Sequence, residues 1–448
     1  MHFGKKLGHS KQKNSMGILS SLTREQKEAV GLLQIGTFLE YFDLMLYVHM
    51  AVLLNELFFP KTDPHTASLL AAFAFCSTWI FRPFGALLFG WIGDNIGRKT
   101  TVVITTIMMS FSCVVMANLP TYEQIGISAA WIITACRIIQ GLSSMGEIKG
   151  AEIYLAEITK PPARYPVVAF ISVASDFGSM AALALAFFVT SIGFDWRVAF
   201  WFGATVALAG SIARTRLRET PDFLSIKTKK NNLFINNYLK EKVDKKTILS
   251  YFFIECAWPV SFFFVFFYSS LLLKTKFNCS ANEIIHQNLI VSLVALFSSF
   301  LFASLSYTIH PLKILKSKLL ALSIFCLLVP PLLFFIDSPF QMLILQCIFI
   351  FFALSGDPGY ASFIMQFPIH KRFMFIAVLY SIAAAFMHII TSFGMIYLTD
   401  FFGHYGLWFI MIPMCVSFFY ALNHFIKLEK ASGNFPEYRV SEKLSAIR

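Results

Sequence analysis

Residues 82–99 read Arg-Pro-Phe-Gly-Ala-Leu-Leu-Phe-Gly-Trp-Ile-Gly-Asp-Asn-Ile-Gly-Arg-Lys. They close one long apolar run, make a short polar turn and open the next run. Gly85, Ala86 and Gly90 let a neighbouring helix approach closely. Gly90, Gly93 and Gly97 permit a tight turn. Asp94 can cap the following helix or pair with Arg98. With Lys99 these charges form a cluster able to latch one domain against another in one conformation and release it in the other. Arg82 lies inside the apolar run, where an ionisable group costs on the order of a few kcal/mol and marks a functional hypothesis.

The pattern repeats along the chain. Apolar runs occupy 30–54, 67–92, 100–119, 126–148, 165–191 and 197–213, and then 249–273, 287–309, 318–336, 340–366, 373–398 and 404–427. Of the 448 residues 57% are hydrophobic and 14% charged, with a mean hydropathy of +0.66. Twelve helices of about 21 residues would use nearly all of that apolar material. A soluble domain could not hide so much apolar surface, and the runs lack the alternation of membrane-spanning strands. The expected fold is therefore an all-α membrane protein of twelve transmembrane helices in two six-helix bundles.

Charge gives the expected orientation and division. Net charge is +12. With the N-terminus placed in the cytoplasm, 30 of the 37 Lys and Arg fall in cytoplasmic segments and four (Lys61, Arg197, Lys274, Lys276) on the opposite side. That bias follows the positive-inside rule, and it accounts for the basic balance without a nucleic-acid partner. The parts are a cytoplasmic tail over 1–29, an N-terminal bundle over 30–213, a cytoplasmic loop over 214–248, a C-terminal bundle over 249–427 and a cytoplasmic tail over 428–448. Residues 1–29 are polar and basic, with no cleavable signal expected. Seven of the eight cysteines lie in apolar runs and none pairs as CxxC, so neither a disulfide framework nor a metal site is expected. No phosphate-binding, zinc-hydrolase or nucleophile-elbow string occurs, which leaves ATP-driven transport and hydrolysis without support.

Ionisable residues within the runs carry the chemistry. Glu40, Asp43, Arg82, Arg137 and Asp176 all count to mid-depth, and Glu40 and Asp43 share a helix face. Charges of both signs at one depth should face an internal cavity and pair. A carboxylate whose proton affinity changes as a nearby arginine moves can couple proton flow to conformational change. A static buried ion pair is the alternative. Glu147 and Asp357 are secondary candidates. Gly356-Asp357-Pro358-Gly359 should interrupt its helix and free carbonyls beside a charge. Lys149 and Glu152 can pair at i,i+3 near the inner surface, and Glu255, near a helix start, should snorkel or pair. The aromatic richness, 51 Phe and 15 Tyr, could cage a quaternary ammonium but discriminates nothing alone.

The 90–99 string resembles the signature loop of the major facilitator superfamily. Glu40-Tyr41-Phe42-Asp43, Phe58-Phe59-Pro60, Arg82-Pro83-Phe84-Gly85, Arg137-Ile138-Ile139-Gln140-Gly141-Leu142-Ser143, Gly146-Glu147, Asp176-Phe177-Gly178-Ser179 and Arg218-Glu219-Thr220-Pro221 resemble its metabolite:proton symporters. Within that subgroup the chain is most similar to bacterial proline/betaine transporters, over residues 30 to about 225. The resemblance implies a secondary transporter of the bacterial inner membrane. It would be a monomer in the lipid bilayer, taking a small polar metabolite with protons and needing no cofactor or metal. Glu40, Asp43, Arg82, Arg137, Gln140 and Asp176 would couple and bind, while Gly90, Gly93, Asp94, Gly97, Arg98 and Lys99 would form the cytoplasmic gate. A carboxylate symporter using Arg82, Arg137 and Lys149 is the rival within transport. The second half departs: Tyr307-Thr308-Ile309-His310-Pro311-Leu312-Lys313 lacks the Gly-Asp core, and the tail lacks the heptads of osmosensory relatives. That divergence motivates a rival of another class, a transport-inactive paralogue acting as a membrane sensor.

Overall fold

The computed structural model describes residues 22–59, 64–192, 195–214, 243–369 and 371–435, which are helical with no strand among them. The first six spans are α1 (Arg24–Phe58), α2 (Pro64–Asn95), α3 (Arg98–Asn118), α4 (Ile127–Ile158), α5 (Arg164–Ile192) and α6 (Arg197–Arg214). The second six begin with α7 (Lys245–Thr275), α8 (Ala281–Leu305) and α9 (Pro311–Phe335). Then come α10 (Pro339–Phe351, resumed at Tyr360–Ile364), α11 (Arg372–Ile389, continued by Ile390–Gly394 and Met395–Phe402) and α12 (Trp408–Ala431). The run Arg372–Ala431 is 60 residues long. At 1.5 Å per residue it would reach about three times across a hydrocarbon core. Gly403, with φ 58, turns it into two spans. Most of the expected tails and central loop lie outside the described residues.

Local chemistry explains where helices start and break. Thr23 and Gln26 form a reciprocal cap at the head of α1, at 2.9 and 3.2 Å. Ser280 and Glu283 do the same for α8, while Asp244 caps α7 by accepting from the Lys246 amide. Pro259 cannot donate to the carbonyl four residues back, on Glu255, and α7 breaks at Cys256 between Lys245–Glu255 and Ala257–Phe262. The Gly356–Gly359 stretch interrupts α10 as its sequence suggests. The apolar run ending at 148 stops short of α4, which continues to Ile158. Lys149 and Glu152 read as the end of a hydrophobic run, yet pairing one turn apart lets them stay inside the helix.

Large apolar side chains face outward where lipid would lie: Trp131 is 69% exposed, Phe335 76% and Phe401 84%. Only a bilayer makes such a surface favourable. Inside, one core joins Ile153 and Leu155 of α4 and Ile171 of α5 to Tyr251 and Phe264 of α7, Phe363 and Phe373, so it spans both halves. A second core, with Phe42, Leu46, Cys113, Ile133 and Phe200, belongs to the first half. Glycines permit close crossings there: a Cβ on Gly85 would strike the Leu142 carbonyl, and one on Gly141 the Thr78 carbonyl, which locks α2 to α4.

Candidate functional site

The two halves meet along α2 with α11 and α5 with α8. Between them lies a cavity of 320 Å³, walled by residues of α1, α2, α4 and α5 from one half and α7, α8, α10 and α11 from the other. Its floor carries three charges. Lys149 of α4 donates to Glu152 of the same helix at 3.0 Å. The same ammonium stands 3.3 Å from Glu255 Oε1 of α7, across the boundary between halves. All three side chains are buried. Tyr360, just past the break in α10, donates to Glu255 Oε2 at 2.9 Å. The Lys149 ammonium also lies over the Tyr360 and Tyr380 rings, 3.9 and 4.4 Å from their centres. The pairing of Lys149 with Glu152 stands as its spacing suggests. Glu255 brings the part the sequence did not show, a partner from the opposite half.

Further along the wall, Ser299 of α8 donates to Asp176 Oδ2 of α5 at 2.6 Å, a second polar tie between halves. Asp357, in the break of α10, lies within hydrogen-bonding reach of Ser172 and within electrostatic reach of Lys149 and Asp176. Both aspartates line the cavity. Aromatic side chains also line it, among them Tyr41, Trp79, Trp258, Phe262 and Tyr380. His388 stacks on Trp79 at 3.9 Å between ring centres.

The remaining sequence candidates lie behind that wall. Glu40, Asp43, Arg82, Arg137 and Gln140 are buried, and they are not among the described residues that line the cavity. Arg137 Nη1 donates to Gln140 Oε1 at 2.9 Å and to the Leu44 carbonyl at 3.4 Å, and its guanidinium lies 4.2 Å from the centre of the Tyr47 ring. Gln140 Nε2 reaches Cys113 Sγ at 3.7 Å, and Cys113 is in turn within hydrogen-bonding reach of Asp43. The result is a polar chain Asp43–Cys113–Gln140–Arg137 through α1, α3 and α4. Gly203 of α6 makes room for Asp43, because a Cβ there would strike its carboxylate. Arg82 stacks on Trp79, 3.7 Å from the ring centre, and Trp79 is on the cavity wall. So Arg82 and Arg137 are not brought together with Asp176 and Asp357 on one surface.

At the α2–α3 turn, Gly97 holds the position before α3 and α2 runs through Asp94 to Asn95. The side chains of Asp94, Arg98 and Glu147 lie outside the described residues. Gly90 and Gly93 face the start of α11: a Cβ on Gly90 would stand 3.0 Å from Met374 Cα, and one on Gly93 2.9 Å from the Phe373 ring. Beside them Arg372 of α11 pairs with Glu157 of α4 at 3.0 Å. The halves are in contact at this end of the cavity.

Comparison with known proteins agrees with this architecture. The family model "Sugar (and other) transporter" matches residues 32–246. The chain is 33% identical to the proline/betaine transporter of Escherichia coli K12 over 208 residues, 44% of this chain and 41% of that protein. It is 33% identical to the inner membrane metabolite transport protein YhjE of the same organism over 235 residues, 50% of this chain and 53% of that one. The chain thus spans about half the length of these curated relatives, or less. The proton:xylose symporter XylE of E. coli superposes with a TM-score of 0.72 at 18% identity, over 89% of this chain and 94% of that one. The matched region coincides with the half that carries the resemblance.

Proposed function

We propose, for a chain with the major facilitator fold, that it is a secondary transporter and not an enzyme. It carries a small zwitterion of the proline or betaine kind with protons by alternating access. The observation that supports this most is the cavity between halves, of a size for a small metabolite, lined by the buried Lys149 and by aromatic side chains. Aromatic faces attract a quaternary or secondary ammonium, and Lys149 attracts a carboxylate. Of the three cations that the rival carboxylate symporter would use, Lys149 lines the cavity, while Arg82 and Arg137 are not among the described residues that do. Proton coupling falls to Glu40 and Asp43, with Arg137 as their mid-depth cation. Binding to one state and release from the other follow from rocking of the halves about the site.

The proposed setting is a bacterial inner membrane, with the α2–α3 turn, the central loop and both termini in the cytoplasm and the protein a monomer. In that orientation the contacts of Gly90, Gly93 and Arg372 close the cytoplasmic end. Proteoliposomes holding the purified protein should accumulate labelled proline or glycine betaine when a pH gradient is imposed. Saturable binding without uptake of any solute would favour the sensor. A cysteine placed at Lys230 should react with an impermeant label only from the cytoplasmic side; reaction from outside intact cells would overturn the orientation.

A further inference from the structure

Lys149 holds two carboxylates unequally. Its ammonium has three donors. One makes a hydrogen bond to Glu152 on its own helix, at 3.0 Å. The contact with Glu255 is ionic at 3.3 Å, and Glu255 Oε1 accepts no hydrogen bond among the described residues. Glu255 is held through its other oxygen by Tyr360, and Tyr251 also lies within hydrogen-bonding reach of its carboxylate. The remaining ammonium directions face the Tyr360 and Tyr380 rings. Lys149, Glu152, Glu255, Tyr360 and Tyr380 all line the cavity. Of the two carboxylates, Glu255, which the ammonium holds only by charge, is the one an incoming carboxylate can displace, because its other oxygen keeps the Tyr360 hydrogen bond. The Glu152 hydrogen bond, one turn away on the same helix, would remain.

We propose that Lys149 is the specificity-determining cation of this cavity, and that a substrate carboxylate exchanges with Glu255 for it. The inference rests on the small-zwitterion reading above and adds its consequence. Glu255 belongs to α7 and Lys149 to α4, so the exchange dissolves a charge contact between halves when substrate arrives. Tyr360 keeps Glu255 satisfied as it lets go. The ligand's ammonium end lies toward the aromatic side chains Trp258, Phe262 and Trp79 of the lining, where choline, which lacks a carboxylate, would also fit. Carboxylate recognition and loosening of the α4–α7 contact are then one event.

The test is a thermal-shift titration of the purified full chain with glycine betaine, proline, choline and 2-oxoglutarate, on the wild type, Lys149→Gln and Glu255→Gln. Lys149→Gln should weaken glycine betaine and proline at least about tenfold and leave choline unchanged. Glu255→Gln removes the competitor and keeps an acceptor for Tyr360. It should bind betaine as tightly as the wild type or several-fold tighter, and it carries the test if Lys149→Gln does not fold. Equal betaine binding by wild type and Lys149→Gln, or loss of it in Glu255→Gln, overturns the exchange while leaving the transport reading in place. Binding of 2-oxoglutarate alone, lost in Lys149→Gln, keeps the exchange and overturns the zwitterion. Failure of every carboxylate to bind the wild type overturns both.

Discussion

Two charged regions lie within a few turns of one another and are built differently. The first, Glu40, Asp43, Arg137 and Gln140, sits inside one half, behind the cavity wall, and its cation is engaged by Gln140, a carbonyl and an aromatic face. The second, Lys149, Glu152 and Glu255, sits on the cavity floor and spans both halves. A charge contact within one rigid body is not pulled apart when the halves rock; what rocking can change there is the access of water, and with it the protonation of the carboxylates. One that crosses the boundary must change when they separate. The difference suggests a division of labour in which the first region holds the proton and the second recognises solute and senses the approach of the halves.

The largest expected effect comes from breaking the second region. Lys149→Met leaves two buried carboxylates facing each other without their cation, and removal of one partner from a buried cluster costs about 3–5 kcal/mol. The melting temperature of the purified protein should fall accordingly, and Glu152→Gln with Glu255→Gln in the same chain should recover most of the loss. A loss within about 0.5 kcal/mol for Lys149→Met would mean that water already solvates the cluster and that its geometry carries little energy.

A smaller effect sharpens the same boundary. Gly93→Leu would push a side chain into the Phe373 ring at the end where α2 meets α11. The state in which this end is shut should become less populated. Uptake should slow by about tenfold while betaine affinity is kept, since gating and binding are separate steps. Unchanged uptake would show that this contact is not part of the cycle, and lost binding would show that the α2–α11 contact shapes the cavity itself.

The spans were readable because bilayer thickness writes itself into sequence as apolar runs, and the turns because glycine, proline and the capping residues act locally. Gly356-Asp357-Pro358-Gly359 announced the break in α10 for that reason. The extension of α4 past 148 was hidden, since a hydropathy reading counts Lys149 and Glu152 as polar although their pairing makes them tolerable inside. The mid-depth charges of the first half were found by counting from the membrane edges. Their position behind the wall was not, because depth says nothing of which way a helix face turns. The sequence marks Glu255 as a snorkelling or paired residue near a helix start, and Pro259 is the local signal beside it. Its partners, Lys149 and Tyr360, are each more than a hundred residues away in sequence. No periodicity links them, and only the meeting of the two halves brings them together.

The division of labour turns on which region carries the proton. Glu40→Gln and Asp43→Asn mimic permanently protonated carboxylates in the first region, away from the cavity surface. The decisive measurement compares two modes in proteoliposomes: exchange of labelled for unlabelled betaine, and accumulation of betaine driven by an imposed pH gradient. At least one of the two variants should keep exchange within about twofold of the wild type and lose accumulation altogether, because exchange moves no net proton. If both still concentrate betaine as the wild type does, the first region does not carry the proton, and the coupling belongs to the acids of the cavity itself.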